Sequence, residues 1–140
     1  MEHNKLNEAL FEKYIAPTRK PRGKSVGIEI EMPIVSLDGA AVDEKTVISV
    51  ADDFRAHFGF KEESRDDNGY VNSMSDTATG DNLSFDCSYS NLELSLGKGD
   101  DLNAIHDTFK KYYAYLKEKL FEKGLTLTEI GRAHVRTPVT

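Results

Sequence analysis

The segment Val26-Gly27-Ile28-Glu29-Ile30-Glu31-Met32 limits the folds open to this chain more than any other. Apolar and polar residues alternate through it with period two, the mark of a strand whose successive side chains point to opposite faces. Val26, Ile28, Ile30 and Met32 share one face and can close on a core. Gly27, Glu29 and Glu31 share the other. Two carboxylates at this spacing lie roughly 6.5–7 Å apart. At an effective dielectric of about 20, their repulsion is about 2.5 kcal/mol. A fold that keeps such a pair either gives it a cation or leaves it wet.

Two further runs repeat the pattern. In Leu83–Cys87, the residues Leu83, Phe85 and Cys87 face one way, which predicts burial of the cysteine, and Ser84, Asp86 and Ser88 face the other. In Asn91–Leu96, the residues Leu92, Leu94 and Leu96 face the core while Glu93 and Ser95 face away. Ser88-Tyr89-Ser90 joins the two runs as a hairpin, and Gly97–Gly99 is expected to break the sheet. If the three strands are neighbours, Glu29, Glu31, Asp86 and Glu93 line one side of a sheet. Hard divalent ions such as magnesium take oxygen ligands, and phosphates complete their shell. A half-solvated antiparallel sheet with polar residues outward is the plainer reading of the same alternation.

The helices are signalled by caps and stripes. Leu6, Ala9, Leu10, Lys13 and Tyr14 form a helical stripe that ends before Pro17. Asp43 caps a helix over residues 44–58, with Val47, Val50, Ala51, Phe54 and Phe58 inward and Gly59 as its stop. Residues 61–82 read as polar and turn-rich, with turns at Asp66-Asp67-Asn68-Gly69 and Thr79-Gly80-Asp81-Asn82. Asp100 or Asp101 caps a long helix to Lys123 whose stripe is Leu102, Ile105, Phe109, Tyr112, Tyr113, Leu116 and Leu120. Gly124 ends it, and Leu125–Glu129 is a further strand. The expected class is α+β, an antiparallel sheet with packed helices.

Composition narrows the function. The net charge of −6 argues against binding nucleic acid, since no basic stripe exists to release counterions. Arg19-Lys20-Pro21-Arg22-Gly23-Lys24 is the one basic cluster, read as a solvated linker or as a contact to an anionic ligand. No apolar run reaches the ~18 residues that span a bilayer, so no membrane partner is expected. The N-terminus lacks the basic-then-apolar order of a signal peptide. A single cysteine, Cys87, forms no internal disulfide, which fits a cytoplasmic setting. His57, His106 and the tyrosines Tyr112, Tyr113 and Tyr115 are read as packing or surface residues.

The run Ser25-Val26-Gly27-Ile28-Glu29-Ile30-Glu31-Met32-Pro33-Ile34-Val35 resembles the opening strand of the glutamate–cysteine ligases and related carboxylate–amine ligases, with its Gly-x-Glu-x-Glu pattern. Ser84-Phe85-Asp86 followed by Asn91-Leu92-Glu93-Leu94-Ser95 is similar to that family's second acidic block. The resemblance covers roughly residues 10–129. It implies a glutamine-synthetase-like α+β catalytic fold, with an antiparallel sheet as one wall of the active site. It further implies ATP-dependent joining of the glutamate γ-carboxylate to the amine of cysteine, through a γ-glutamyl phosphate. By the same resemblance Glu29, Glu31 and Glu93, with Asp86 as a further member, are expected to hold Mg2+ for ATP. Glutamate, cysteine and ATP are the implied small-molecule partners. A ligase with another amine acceptor and a non-catalytic α+β interaction module are the alternatives.

The last eleven residues stand apart. Ile130-Gly131-Arg132-Ala133-His134-Val135-Arg136-Thr137-Pro138-Val139-Thr140 resembles a common sequencing-library adapter translated in one frame, differing only where Arg136 replaces the adapter's stop codon. The expectation is a non-native tail over residues 130–140, and a truncated N-terminal part of a ligase catalytic domain over residues 1–129, inactive by itself. Leaving out Arg132 and Arg136 takes the charge from −6 to −8, because both are cations and no acid lies among the eleven.

Overall fold

The computed structural model describes residues 2–19, 23–128 and 134–135. Helix α1 spans Glu2–Leu10 and continues through a widened turn, Phe11–Ile15, into a tight one, Ala16–Arg19. Pro17, which has no N–H to continue a helical ladder, lies in that last turn. Strand β1, Val26–Ser36, follows. Helix α2 is Glu44–Phe58, strand β2 Lys61–Arg65, β3 Val71–Ser75, β4 Asn82–Phe85 and β5 Asn91–Gly99. Helix α3 is Leu102–Phe121, with β6, Leu125–Leu127, and β7, His134–Val135, after it.

The sheet is antiparallel throughout and runs β2-β3-β4-β5-β1. The far edge of β1 is shared by β6, opposite Ile34–Ser36, and by β7, opposite Ile28 and Glu29. The class is α+β. Helices α2 and α3 cover one face, and a single apolar core joins them to Met32, Ile34, Met74, Leu83, Leu92, Leu94 and Leu96. Phe54 sits at its centre, fully buried, with ring centroids of Phe58, Phe60 and Tyr112 at 4.7, 5.1 and 5.4 Å.

Local chemistry sets the helix limits. The Asp43 carboxylate accepts from the Thr46 N–H at 2.9 Å and from its hydroxyl at 2.7 Å, which holds the acid's pKa below the ordinary carboxylate value. Gly59 closes α2 in the left-handed region, φ 74°, and its N–H donates to the Arg55 carbonyl. Asp101 caps α3, accepting from the Asn103 N–H at 2.8 Å.

Several expectations are corrected. The N-terminal helical stretch, expected to end before Pro17, runs through it to Arg19, and Leu6, Leu10 and Tyr14 of its stripe are exposed. Leu102, read as part of the α3 stripe, is also exposed. Two strands, β2 and β3, lie within the stretch read only as turns. Every residue of β2 is exposed and most are charged, so this edge strand has no apolar alternation to betray it. Strand β5 runs through the glycines expected to end it. The Thr79–Gly80 turn closes down on Gly97, where a Cβ would stand 2.0 Å from the Thr79 carbonyl oxygen. The glycine therefore permits a close approach instead of ending the strand. Cys87 is exposed in the β4–β5 turn with φ 61°, because pairing of β4 ends at Phe85 and the alternation no longer applies beyond it. Of the tail read as adapter-derived, only the backbone of residues 134–135 is described; residues 129–133 and 136–140 lie outside the description. No helix among the described residues is long and apolar enough to cross a membrane.

Candidate metal centre

The face of the sheet turned away from α2 and α3 gathers the acids by register. Glu31 of β1 lies directly opposite Glu93 of β5, and Ser84 of β4 lies opposite Glu93 on its other side. Asp86 follows β4, and its N–H donates to the Asn91 carbonyl at 3.0 Å, keeping the chain in step with β5 for one residue beyond the strand. A carboxylate oxygen from each of Glu31, Asp86 and Glu93 lies within 4.8 Å of the other two. All three side chains are half-buried, and no ion pair involves them among the described residues.

Glu29 sits one row along the same face, opposite Ser95 of β5 and His134 of β7. It is not one of the converging three. The pleat that separates Glu29 from Glu31 by roughly 6.5–7 Å also keeps it one step away from the Asp86 turn. Ser95 donates to Glu93 Oε1 at 3.1 Å and so orients that carboxylate.

The β4–β5 turn that carries Asp86 is held from several sides. Ser88 N–H donates to the Asp86 carbonyl at 2.7 Å, and Asn91 N–H to the Ser88 carbonyl at 3.1 Å. The Ile34 N–H of β1 donates to the Ser90 carbonyl at 2.7 Å. Tyr89 folds back, its ring 4.7 Å from Phe85, and its hydroxyl donates to Asp66 Oδ2 at 2.5 Å. Asp66 in turn organises the β2–β3 turn, with Oδ1 accepting from the Asn68 and Tyr70 N–H groups at 3.0 and 2.8 Å. The hydrogen bond from Tyr89 draws the Asp66 pKa below the ordinary value. Burial, then the bond to Asp66, pushes the Tyr89 hydroxyl up to about 12. Cys87 Sγ lies 3.3 Å from Asp86 Oδ1, and that bond followed by the carboxylate's charge raises the thiol's pKa. A thiol held protonated is a poor nucleophile.

The donor set suits a hard cation. Like charges placed opposite one another on adjacent strands repel, and three of them within 4.8 Å leave that repulsion uncompensated by any described cation. Magnesium is a hard cation that takes carboxylate oxygens, and Glu31, Asp86 and Glu93 are the residues that would hold it here. Carboxylates on paired strands are also more rigidly placed than loop acids. A shallow hollow of about 400 Å³ elsewhere on the molecule, lined by Ile34, Val35, Ser36, Gly39, Ala40, Val42 and Ser90, contains none of the four acids.

The basic cluster contributes little to the described structure. Arg19 places its guanidinium 5.0 Å over the Phe11 ring, Lys24 is exposed, and residues 20–22 lie outside the description. His57 stacks on Tyr115 with centroids 4.4 Å apart, and His106 is exposed on α3; both are the packing and surface residues expected. Period two also places Asn91 on the face of Glu93, although its residue type does not single it out in the sequence. No protein-family model and no curated protein matches this sequence.

Proposed function

We propose that this chain is the N-terminal part of the catalytic domain of an ATP-dependent carboxylate–amine ligase of the glutamate–cysteine ligase kind, with a glutamine-synthetase-like fold. The observation that carries the reading is the convergence of Glu31, Asp86 and Glu93 from three chain segments within 4.8 Å on the face of the sheet turned away from α2 and α3. These are three of the four acids that the family resemblance marks as Mg2+ ligands. Glu29, the fourth, lies one row along the same face and would be a further carboxylate donor there.

When bound there, magnesium would cancel the repulsion between an anionic carboxylate and the anionic γ-phosphate of ATP. Within this chain, Glu31 and Glu93 would bind from the rigid β1–β5 pair, and Asp86 would close the set from the turn. Ser95 would keep the Glu93 carboxylate turned toward that set. The reaction implied is transfer of the γ-phosphoryl group to the glutamate γ-carboxylate with release of ADP. Attack by the cysteine amine on that acyl phosphate then releases phosphate. The parent protein should release phosphate from ATP only with magnesium, glutamate and cysteine all present. Replacing Glu31 or Glu93 by Gln should lower that rate by about a hundredfold or more, since loss even of a residue that only orients a metal ligand costs about 10–100-fold. Phosphate release that ignores magnesium, or ignores both substitutions, would sink the proposal.

A further inference from the structure

We infer that the side-chain oxygen of Asn91 is a further donor to the cation held by Glu31, Asp86 and Glu93. The inference rests on the metal-site reading given above and adds a residue to it. Among the described residues, Asn91 Oδ1 is the one buried side-chain nitrogen or oxygen without a hydrogen-bond partner. A buried amide oxygen with no donor is costly, and native chains rarely leave one so. Several neighbouring polar side chains of the same face are paired. Asn82 Nδ2 donates to Ser73 at 3.0 Å and to Glu63 at 3.2 Å, Ser75 donates to Glu63 at 2.5 Å, and Ser95 donates to Glu93. The exception lies one row from the Glu31–Glu93 pair.

The placement is fixed by backbone. Asn91 precedes Glu93 by two residues on β5, so both point to the same face. Across the strand pair it opposes Pro33, which shares the face of Glu31 on β1. Its own carbonyl takes the Asp86 N–H. Asn91 thus lies one row along the same face from the Glu31–Glu93 pair, with its backbone bonded to that of Asp86. An amide oxygen is a hard ligand of the kind magnesium and manganese accept. It is also neutral, so it adds a donor without adding to the repulsion among three carboxylates, as a fourth acid would.

The test is titration of the 140-residue chain with Mn2+, following free ion by electron paramagnetic resonance, alongside melting curves in chelator. Wild type, Asn91→Leu, Asn91→Asp and Glu93→Gln are compared. Asn91→Leu should weaken Mn2+ binding about tenfold or more, since loss even of a group that only orients a ligand costs about 10–100-fold. It should melt in chelator no lower than wild type, because the unpaired oxygen is gone. Asn91→Asp, which returns an oxygen to the same place, should hold Mn2+ at least as tightly as wild type. Wild-type affinity in Asn91→Leu, with affinity lost in Glu93→Gln, would overturn the role of Asn91 and leave the acidic site standing. No Mn2+ binding by wild type would overturn both. Weak binding by both Asn91 variants with lowered melting would make the residue structural and end the inference. Where Asn91→Leu fails to fold, Asn91→Asp alone decides, since weaker binding by that variant is equally fatal.

Discussion

Glu93 and Leu94 are consecutive residues of β5, yet the two faces they serve obey different physics. Leu94 is fully buried beneath α2 and α3, among a core in which each side chain touches others of its kind. Glu93 faces the side turned away from those helices, opposite another glutamate and within reach of an aspartate. The first face lowers the free energy of the fold by removing apolar surface from water. The second raises it by holding like charges together. A sheet that carries both sets the stability of one side against the crowding of acids on the other, and a binding surface on a rigid scaffold would be built in that way.

The contrast breaks most visibly at Leu94. Leu94→Ala removes a fully buried side chain from the middle of the sheet and should cost about 2–5 kcal/mol, read from denaturant unfolding. A loss under about 1 kcal/mol would mean that α2 and α3 do not close on this face as described. A smaller effect is expected at Tyr112, which ties the core to the edge of β5. Its hydroxyl donates to Asp81 Oδ2 at 3.0 Å, while the Gly97 N–H donates to Oδ1 at 2.7 Å, and the carboxylate is buried. Tyr112→Phe withdraws one of those donors and should cost about 1–3 kcal/mol.

The same residue gives the core an alkaline limit. Burial first, and then the Asp81 charge, raises the Tyr112 pKa above its ordinary value of 10.0. A raised pKa in the folded chain means that the protonated form is favoured by folding. The stability it contributes is therefore complete below about pH 10 and is lost as pH rises toward the folded value. Tyr89, pushed up to about 12, acts in the same direction. The melting temperature should hold steady through neutral pH and fall above about pH 10, less steeply in Tyr112→Phe. On the acid side the sign reverses. Asp66 and Asp43 have lowered pKa values, so their contribution is present above the ordinary carboxylate range and disappears as pH falls through the folded values.

Much of this molecule is legible wherever local chemistry and burial agree. The α2 limits follow from Asp43 and Gly59, and the β1, β4 and β5 faces follow from strict alternation. The legible part fails where a tertiary contact supplies what the local pattern lacks. β2 is written in charges and is a strand only because β3 pairs with it. Gly97 reads as a breaker because its partner, the Thr79–Gly80 turn, is remote in sequence. At the site, the common face of Glu31 and Glu93 is readable, but their direct opposition depends on the β1–β5 register, which the hairpin alone does not set. That register also separates Glu29 from the converging acids. Asn91 is invisible as a candidate in the sequence because its distinguishing property is a missing partner, which only the folded arrangement displays.

The smallest expected effect is the sharpest test of the two-faced sheet, because its sign changes with conditions. Glu93→Gln keeps the side-chain oxygen that accepts from Ser95 and removes one of three crowded charges. In chelator the variant should be more stable than wild type, by about 0.2–1 kcal/mol, the scale of a cross-strand charge pair. In millimolar magnesium the order should invert. An ion that binds the folded chain and not the unfolded one stabilises in proportion to its affinity, and wild type binds it better. Melting curves for both proteins in the two buffers measure the crossing directly. If Glu93→Gln is less stable in chelator, this face of the sheet is not under electrostatic strain. If wild type gains nothing from magnesium, the strain exists but no cation of this kind relieves it. Only the crossing ties the repulsion on this face to a ligand, and it does so without any assay of the reaction.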